Sequence, residues 1–293
     1  MGSAFMNQMI SVYRYGSIHI LKTEIKVGLP KQIKFLHITD SHIALDDPGQ
    51  DCGRARVFEK DKPGSSMSYF RQAMAYAREH HMPVIHTGDL IDFMSEANFA
   101  FADTAFDGVE YVYAAGNHDF CHRVGAAKED EVYKWMNIKR TAPHFQTNLV
   151  FSSKVIDGVN FVTLDNSYYR ISAGQKTMLQ AEAARGYPII LCIHVPIFTA
   201  EFADTIMSGG KNCGYLMCPT AAYLAGYPED RRQQQTSDEE TKRAVEYIKS
   251  EPLIRAIITG HTHMNYEQVL ENGVMQITTH GSYAGYAREI TLL

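Results

Sequence analysis

The sequence predicts an α/β fold, and three observations carry that prediction. Short apolar runs rich in β-branched residues alternate with segments of helical period, and several of those runs end in polar, chemistry-bearing residues. An apolar share of 45% beside 21% charged residues is the balance of a chain that packs a core. At 293 residues that core is substantial, and the expectation is one domain over residues 1–293. Residues 1–5, ahead of a second methionine at Met6, are set aside as a cloning remnant.

From residue 17 to residue 39, two β-rich runs separated by Gly28-Leu29-Pro30 read as strands, and the second stops at Asp40. Residues 45–66 carry Asp, Gly, Pro and Ser without a period, which predicts a long loop or lid with Arg54 and Arg56 in solvent. Over residues 68–80, Phe70, Ala73, Met74 and Ala77 share one helical face, Pro83 follows, and residues 84–86 form a buried strand. A helix over residues 95–106 and a strand over 109–114 repeat the βαβ pattern, so parallel pairing is expected.

Asp157-Gly158 between the β-rich runs 151–156 and 159–164 predicts a hairpin. Residues 175–185 read as a helix closed by Gly186, and the apolar strand 189–193 then delivers His194. Residues 198–235 are rich in Gly, Pro and polar side chains and exceed an ordinary connection, so they read as an insertion or lid that shapes substrate choice. Ser237-Asp238-Glu239-Glu240 opens a helix ending near residue 250, and strand 254–259 stops at Gly260.

A formal net charge of -5 excludes a general nucleic-acid coat, which needs a basic excess. The five cysteines form no CxxC pair and leave an odd thiol, so free thiols in a reducing cytoplasm are expected. No apolar run approaches the roughly 20 residues needed to cross a bilayer, and no membrane association is expected.

The chemistry gathers at strand ends. One strand is followed by Asp40 and His42, another by Asp89 and Asp92, others by Asn117-His118-Asp119, by His194, and by His261 and His263. In α/β sheets the crevice beyond the carboxyl ends of strands is where such scattered residues converge. Carboxylates, imidazoles and one amide without a thiolate suit Mn, Fe or Zn, and using all of them takes two divalent ions. Asp89 is the expected bridge, since a shared carboxylate holds two cations roughly 3.5–4 Å apart, a spacing suited to in-line displacement at phosphorus.

Asp40-Ser41-His42, Gly88-Asp89-Leu90-Ile91-Asp92, Gly116-Asn117-His118-Asp119, His194 and Gly260-His261-Thr262-His263 together resemble the calcineurin-like metallophosphoesterase family. The resemblance implies a four-layer α/β/β/α sandwich of two mixed sheets with a dimetal site at strand ends. It implies Asp40, His42, Asp89 and His263 around a first metal, and Asp89, Asn117, His194 and His261 around a second. The nucleophile is then water activated between two ions. His118 is the expected acid or charge stabiliser, Asp92 holds it by resemblance, and Asp119 reads as structural. Phe93 follows Asp92 where the protein serine/threonine phosphatases have arginine, so protein phosphatase activity is not expected. Asp92 also stands where the purple acid phosphatases have their tyrosine iron ligand, so no purple colour is expected.

Asn166, Tyr168, Tyr169, Arg170, Tyr283, Tyr286 and Arg288 are candidates for substrate contact, with packing as the stronger reading. His37, His86 and His280 read as structural. The expected function is hydrolysis of a phosphomonoester or phosphodiester, with a small phosphorylated metabolite or nucleotide as partner. The alternatives are a cyclic-nucleotide phosphodiesterase or nuclease, and a non-catalytic metal-binding scaffold.

Overall fold

The computed structural model describes residues 11–59, 64–122 and 130–293. The proposed remnant at residues 1–5 and the stretch 60–63 of the expected loop lie outside the described residues. In chain order the strands are β1 (Ser11–Tyr15), β2 (Ile18–Ile25), β3 (Ile33–Ile38), β4 (Val84–His86), β5 (Tyr111–Tyr113), β6 (Phe151–Ile156), β7 (Val159–Leu164), β8 (Ile189–Cys192), β9 (Ile254–Thr259), β10 (Tyr266–Val269), β11 (Met275–Thr278) and β12 (Tyr286–Leu292). The helices are α1 (Ala55–Phe58), α2 (Ser65–Glu79), α3 (Glu96–Ala102), α4 (Glu131–Thr141), α5 (Ala173–Ala183), α6 (Ala200–Ser208), α7 (Ala221–Gly226), α8 (Glu229–Gln235) and α9 (Glu239–Ser250).

Two six-stranded sheets form, ordered β1-β2-β12-β3-β4-β5 and β10-β11-β9-β8-β7-β6. The expected parallel pairing holds for β3, β4 and β5 and for β7, β8 and β9. Antiparallel pairs flank these runs: β1 with β2, β12 with β3, β6 with β7 and β10 with β11. The β6–β7 hairpin turns on Asp157 at φ 50° and Gly158 at φ 85°, the left-handed pair that a two-residue type I′ turn requires.

The sheets meet through one apolar layer, with Phe35, Ile85, Val112 and Ile290 of the first against Phe161, Ile190, Ile258 and Ile277 of the second. Phe35 and Phe161 pack with ring centroids 4.4 Å apart. Truncating either to alanine costs about 3–5 kcal/mol by the usual cavity penalty. The outer faces are covered by helices. Phe70, Ala73, Met74 and Ala77 of α2 bury against the first sheet, as their spacing predicts. Leu179 of α5 and Ala244, Val245 and Ile248 of α9 cover the second. The layers are therefore α/β/β/α, with strands of both sheets pointing their carboxyl ends at one crevice.

Residues 198–235 form α6, α7 and α8 rather than an irregular loop. Phe198, Phe202, Ala203, Ile206 and Leu216 make a small core of their own there, and Phe202 stacks on Tyr266 at 4.1 Å. These helices pack onto the second sheet through that stack.

Candidate metal centre

The loops leaving β3 and β4 run side by side. Asp40 N donates to Gly88 O, His42 N to Asp89 O and Asp92 N to Ile43 O, at 2.9, 3.0 and 2.9 Å. Within the second sheet Gly260 N donates to His194 O at 3.0 Å, and His261 N, donating to Asp40 Oδ2 at 3.0 Å, joins that sheet to the first. Such tight crossings need unusual backbone. Asp40, His42, Asp89, His261 and His263 all adopt left-handed φ, between 46° and 68°. L-residues pay roughly 1–2 kcal/mol each for this, a strain of the kind concentrated at functional sites. Gly88 and Gly116 permit the closest approach: a Cβ on Gly88 would stand 2.5 Å from Gly116 N, and one on Gly116 2.1 Å from Asp89 Oδ1.

The side chains converge as two donor sets sharing one atom. Asp89 Oδ1 accepts from His118 N at 2.8 Å, which leaves Oδ2 between the sets. Oδ2 is 3.7 Å from His42 Nε2 and 3.3 Å from His194 Nε2. On one side, His263 Nε2 lies 3.1 Å from His42 Nε2 and 3.3 Å from Asp40 Oδ1. On the other, His194 Nε2 lies 3.2 Å from Asn117 Oδ1 and 3.1 Å from His261 Nδ1.

Each imidazole has its remaining nitrogen occupied. His42 Nδ1 is 2.9 Å from Asp92 Oδ1, and His194 Nδ1 donates to Thr87 O at 2.6 Å. The Tyr169 hydroxyl is 2.7 Å from His261 Nε2, and the Tyr283 hydroxyl 3.3 Å from His263 Nδ1. These partners orient the rings so that lone pairs point inward, as outer hydrogen bonds do around metal-binding histidines. Acceptors facing acceptors at such distances repel unless a cation lies between them, so the donor set fits a pair of divalent ions. The centre is a candidate His/Asp dimetal site.

Electrostatics agree. Burial works against the charge of Asp40, yet His263, His194 and His42 hold it well below the usual carboxylate range. Asp89 is likewise lowered against burial, chiefly by His194 and His118. His194 is pushed up to about 9, because Asp89 outweighs the burial that opposes its charge. The pocket thus demands positive charge.

Asp92 is fully buried and serves three partners. It meets His42, His118 Nδ1 at 3.0 Å, and Arg54, whose Nε donates to Oδ2 at 2.6 Å and Nη2 to Oδ1 at 3.1 Å. Against burial, these donors hold its carboxyl far below the ordinary range. Arg54 corrects the expectation of a solvated arginine: only 22% of its side chain is exposed, because Asp92 draws it inward. Arg56 does face solvent, 73% exposed beside Asp51. Asp119 accepts from the amides of Asp89, Leu90, Ile91 and Gly116 and from the Tyr113 hydroxyl, tying the motif loops together.

The candidate contact residues divide. Asn166 accepts from His194 N and Val195 N, and Tyr168 donates to Asn117 O, so both set ligand-bearing backbone. Tyr169 and Tyr283 support histidines, while Arg170 lies toward Asp238. Arg288 is fully buried against Glu267, Thr23 and Thr279, a packing position. His37 and His86 bond Thr279, Thr87 and Ser41 as structural histidines do. The sequence reading missed Arg54 and the residues of α6–α8 that face the centre. A pocket of about 250 Å³ opens on Asp89, Asn117, His118, His261 and His263, and Lys211, Tyr215 and Arg231 wall its far side.

No curated protein matches this chain. Among solved structures, a dimetal phosphatase from Danio rerio is similar at 14% identity and TM-score 0.49, covering 86% of this chain and 88% of that one. A putative 5′-nucleotidase from Staphylococcus aureus is similar at 13% identity and TM-score 0.47, with 86% of this chain spanning 49% of that one. The phosphopantetheinyl hydrolase of Mycobacterium tuberculosis is similar at 11% identity and TM-score 0.40, over 87% and 92% of the two chains. The family model of the calcineurin-like phosphoesterases matches residues 33–265, most of the chain with every motif but the strands at its ends, and the chain belongs to that family.

Proposed function

We propose that this protein is a metal-dependent hydrolase of phosphate esters. The observation that carries the reading is Asp89 Oδ2 standing between His42 Nε2 and His194 Nε2, at 3.7 and 3.3 Å, with its other oxygen anchored. Asp40, His42, Asp89 and His263 would hold one divalent ion, and Asp89, Asn117, His194 and His261 the other. Mn, Fe and Zn all suit these oxygen and nitrogen donors. When bound, such a pair supplies an activated water and neutralises phosphoryl charge.

The chain's own groups complete the reaction. Asp89 and Asp40 offer fixed negative charge, and the hydrogen-bonded imidazoles keep their inward nitrogens in place. His118 lines the pocket with 15% of its side chain exposed, and Asp92 fixes its Nδ1 side. In the displacement, the ester P–O bond breaks as water oxygen bonds phosphorus, and His118 gives a proton to the leaving oxygen. Asp92 orients His118 and balances its positive charge.

A pocket of about 250 Å³ suits a compact monoester better than the extended groove that a nucleic-acid strand needs. Among the described residues no helix is long and apolar enough to cross a membrane. Free thiols at Cys52, Cys121, Cys192, Cys213 and Cys218 support a reducing compartment, and the cytoplasm is the location proposed.

The test is hydrolysis of p-nitrophenyl phosphate and bis-p-nitrophenyl phosphate by metal-depleted protein with added Mn²⁺, beside Asp89→Asn. The expected result is metal-dependent turnover that Asp89→Asn loses together with bound metal. Full metal occupancy without turnover of any ester would favour the scaffold alternative, and failure to bind metal would sink the mechanism.

A further inference from the structure

The pocket has a wall that ester hydrolysis alone does not use. Lys211 follows α6, Arg231 sits on α8, and Tyr215 lies between them in sequence; all three line the pocket opposite the metal centre. The guanidinium of Arg231 is 5.3 Å from the Tyr215 ring centroid, and that ring is 6.3 Å from the ring of His261. One aromatic ring therefore separates the arginine from a proposed metal ligand. Arg231 donates to Gln234 Oε1, which also lines the pocket, at 2.9 Å, and its Nε lies 3.5 Å from Asp230 Oδ2. The wall itself is fixed: Ile206 and Leu216 are buried in the small core around Phe202, and Gln235 donates through Nε2 to Cys213 Sγ at 3.2 Å while its Oε1 accepts from Leu216 N at 3.3 Å.

Charge decides what such a wall suits. Among the described lining residues the only carboxylate is Asp89, which the metal centre employs, while two cations face the same space. The charge of an ester phosphate is met by the centre. A neutral leaving group gives the exposed Lys211 and the half-buried Arg231 no charge-assisted contact in return for the water it displaces. An anionic one is met by charge-assisted hydrogen bonds. The volume, about 250 Å³, limits the size of the molecule.

Resting on the phosphoesterase reading above, we propose that the pocket takes compact phosphate esters whose leaving group carries a second anion, phosphate or carboxylate, bound by Lys211 and Arg231. Tyr215 is the divider between that subsite and the metal centre. The insertion is thus the substrate-selecting element of the chain.

The experiment compares kcat/KM within matched pairs on Mn²⁺-loaded protein: phosphoglycolate with ethyl phosphate, and propane-1,3-diol bisphosphate with propyl phosphate. A preference of about tenfold or more for the second-anion member of either pair is expected from charge-assisted contacts, and the pair that shows it names the anion. Lys211→Met and Arg231→Gln lower that ratio, whereas Arg232→Gln, on the same helix but outside the lining, leaves it unchanged. Equal turnover within both pairs, or variants that slow both members alike, would overturn the proposal. If neither p-nitrophenyl phosphate nor bis-p-nitrophenyl phosphate is hydrolysed, the phosphoesterase reading fails by itself, and calorimetric binding of phosphoglycolate decides here. Binding weakened about tenfold by either substitution supports the subsite, and binding unaffected by both overturns it.

Discussion

Arg54 grips the carboxylate of Asp92 at two points, Nε to Oδ2 at 2.6 Å and Nη2 to Oδ1 at 3.1 Å. Asp92 in turn holds His42 and His118, so a residue of the 45–66 segment reaches one proposed metal ligand and the proposed proton donor through one buried acid. Phe58 of the same segment stacks on His42, with centroids 4.3 Å apart and planes 12° from parallel.

Arg54→Ala is therefore expected to lower kcat about tenfold with both metals retained, and to cost about 2 kcal/mol of stability, the usual loss for a charged hydrogen bond to a buried acid. Arg54→Lys recovers only part, since an ammonium cannot reproduce the planar two-point contact. Metal analysis beside kinetics checks this. Loss of metal in proportion to activity would mean that Arg54 acts on His42 alone rather than on His118.

His118 makes a different prediction because a proton donor matters only when the leaving oxygen needs a proton. His118→Ala is expected to slow ethyl phosphate hydrolysis by about 10²–10⁴ while p-nitrophenyl phosphate, which departs as a stable anion, is slowed far less. Equal losses on both esters would assign His118 to stabilising charge on the phosphoryl group.

The central strands, the β6–β7 hairpin, the buried face of α2 and the ligand-bearing motifs were legible because each is a local pattern. β12 was not. Its Arg288 and Glu289 break any apolar run, and they are buried only because distant partners exist: Glu267 for the arginine, and Lys34 and Tyr76 for the glutamate. Arg54 was illegible for the same reason, as nothing near it in sequence announces Asp92. The helices of residues 198–235 were hidden by short length and by glycine and proline between them, which read as loop until the small core around Phe202 is seen.

The left-handed ligands give a test of backbone strain. His263 has φ 55°, a conformation glycine adopts freely. In metal-free protein, His263→Gly is expected to be more stable to urea than His263→Ala by about 1 kcal/mol, although both remove the imidazole. Equal midpoints would show that the loop relaxes once the side chain is gone.

His86 contributes, with the buried His37 and His261, to the acid sensitivity of the metal-free fold. It is fully buried, its Nδ1 accepts from Gly88 N at 3.2 Å, and its Nε2 is 2.9 Å from Ser41 Oγ. Accepting at Nδ1 fixes the neutral ring, and burial pushes its pKa down to about 3 against carboxylates that favour charge. Between that value and the ordinary 6.5, the unfolded chain binds a proton that the native state refuses. Stability is then full above pH 6.5 and falls as pH drops toward 3, by roughly 1 kcal/mol per pH unit from this residue. Urea midpoints from pH 7 to pH 4 should decline in metal-depleted protein, and His86→Gln should flatten that decline by about one proton's worth even if its starting stability is lower. An unchanged slope in the variant would mean that His86 takes up its proton in the native state, and that the Gly88 amide does not hold the ring neutral.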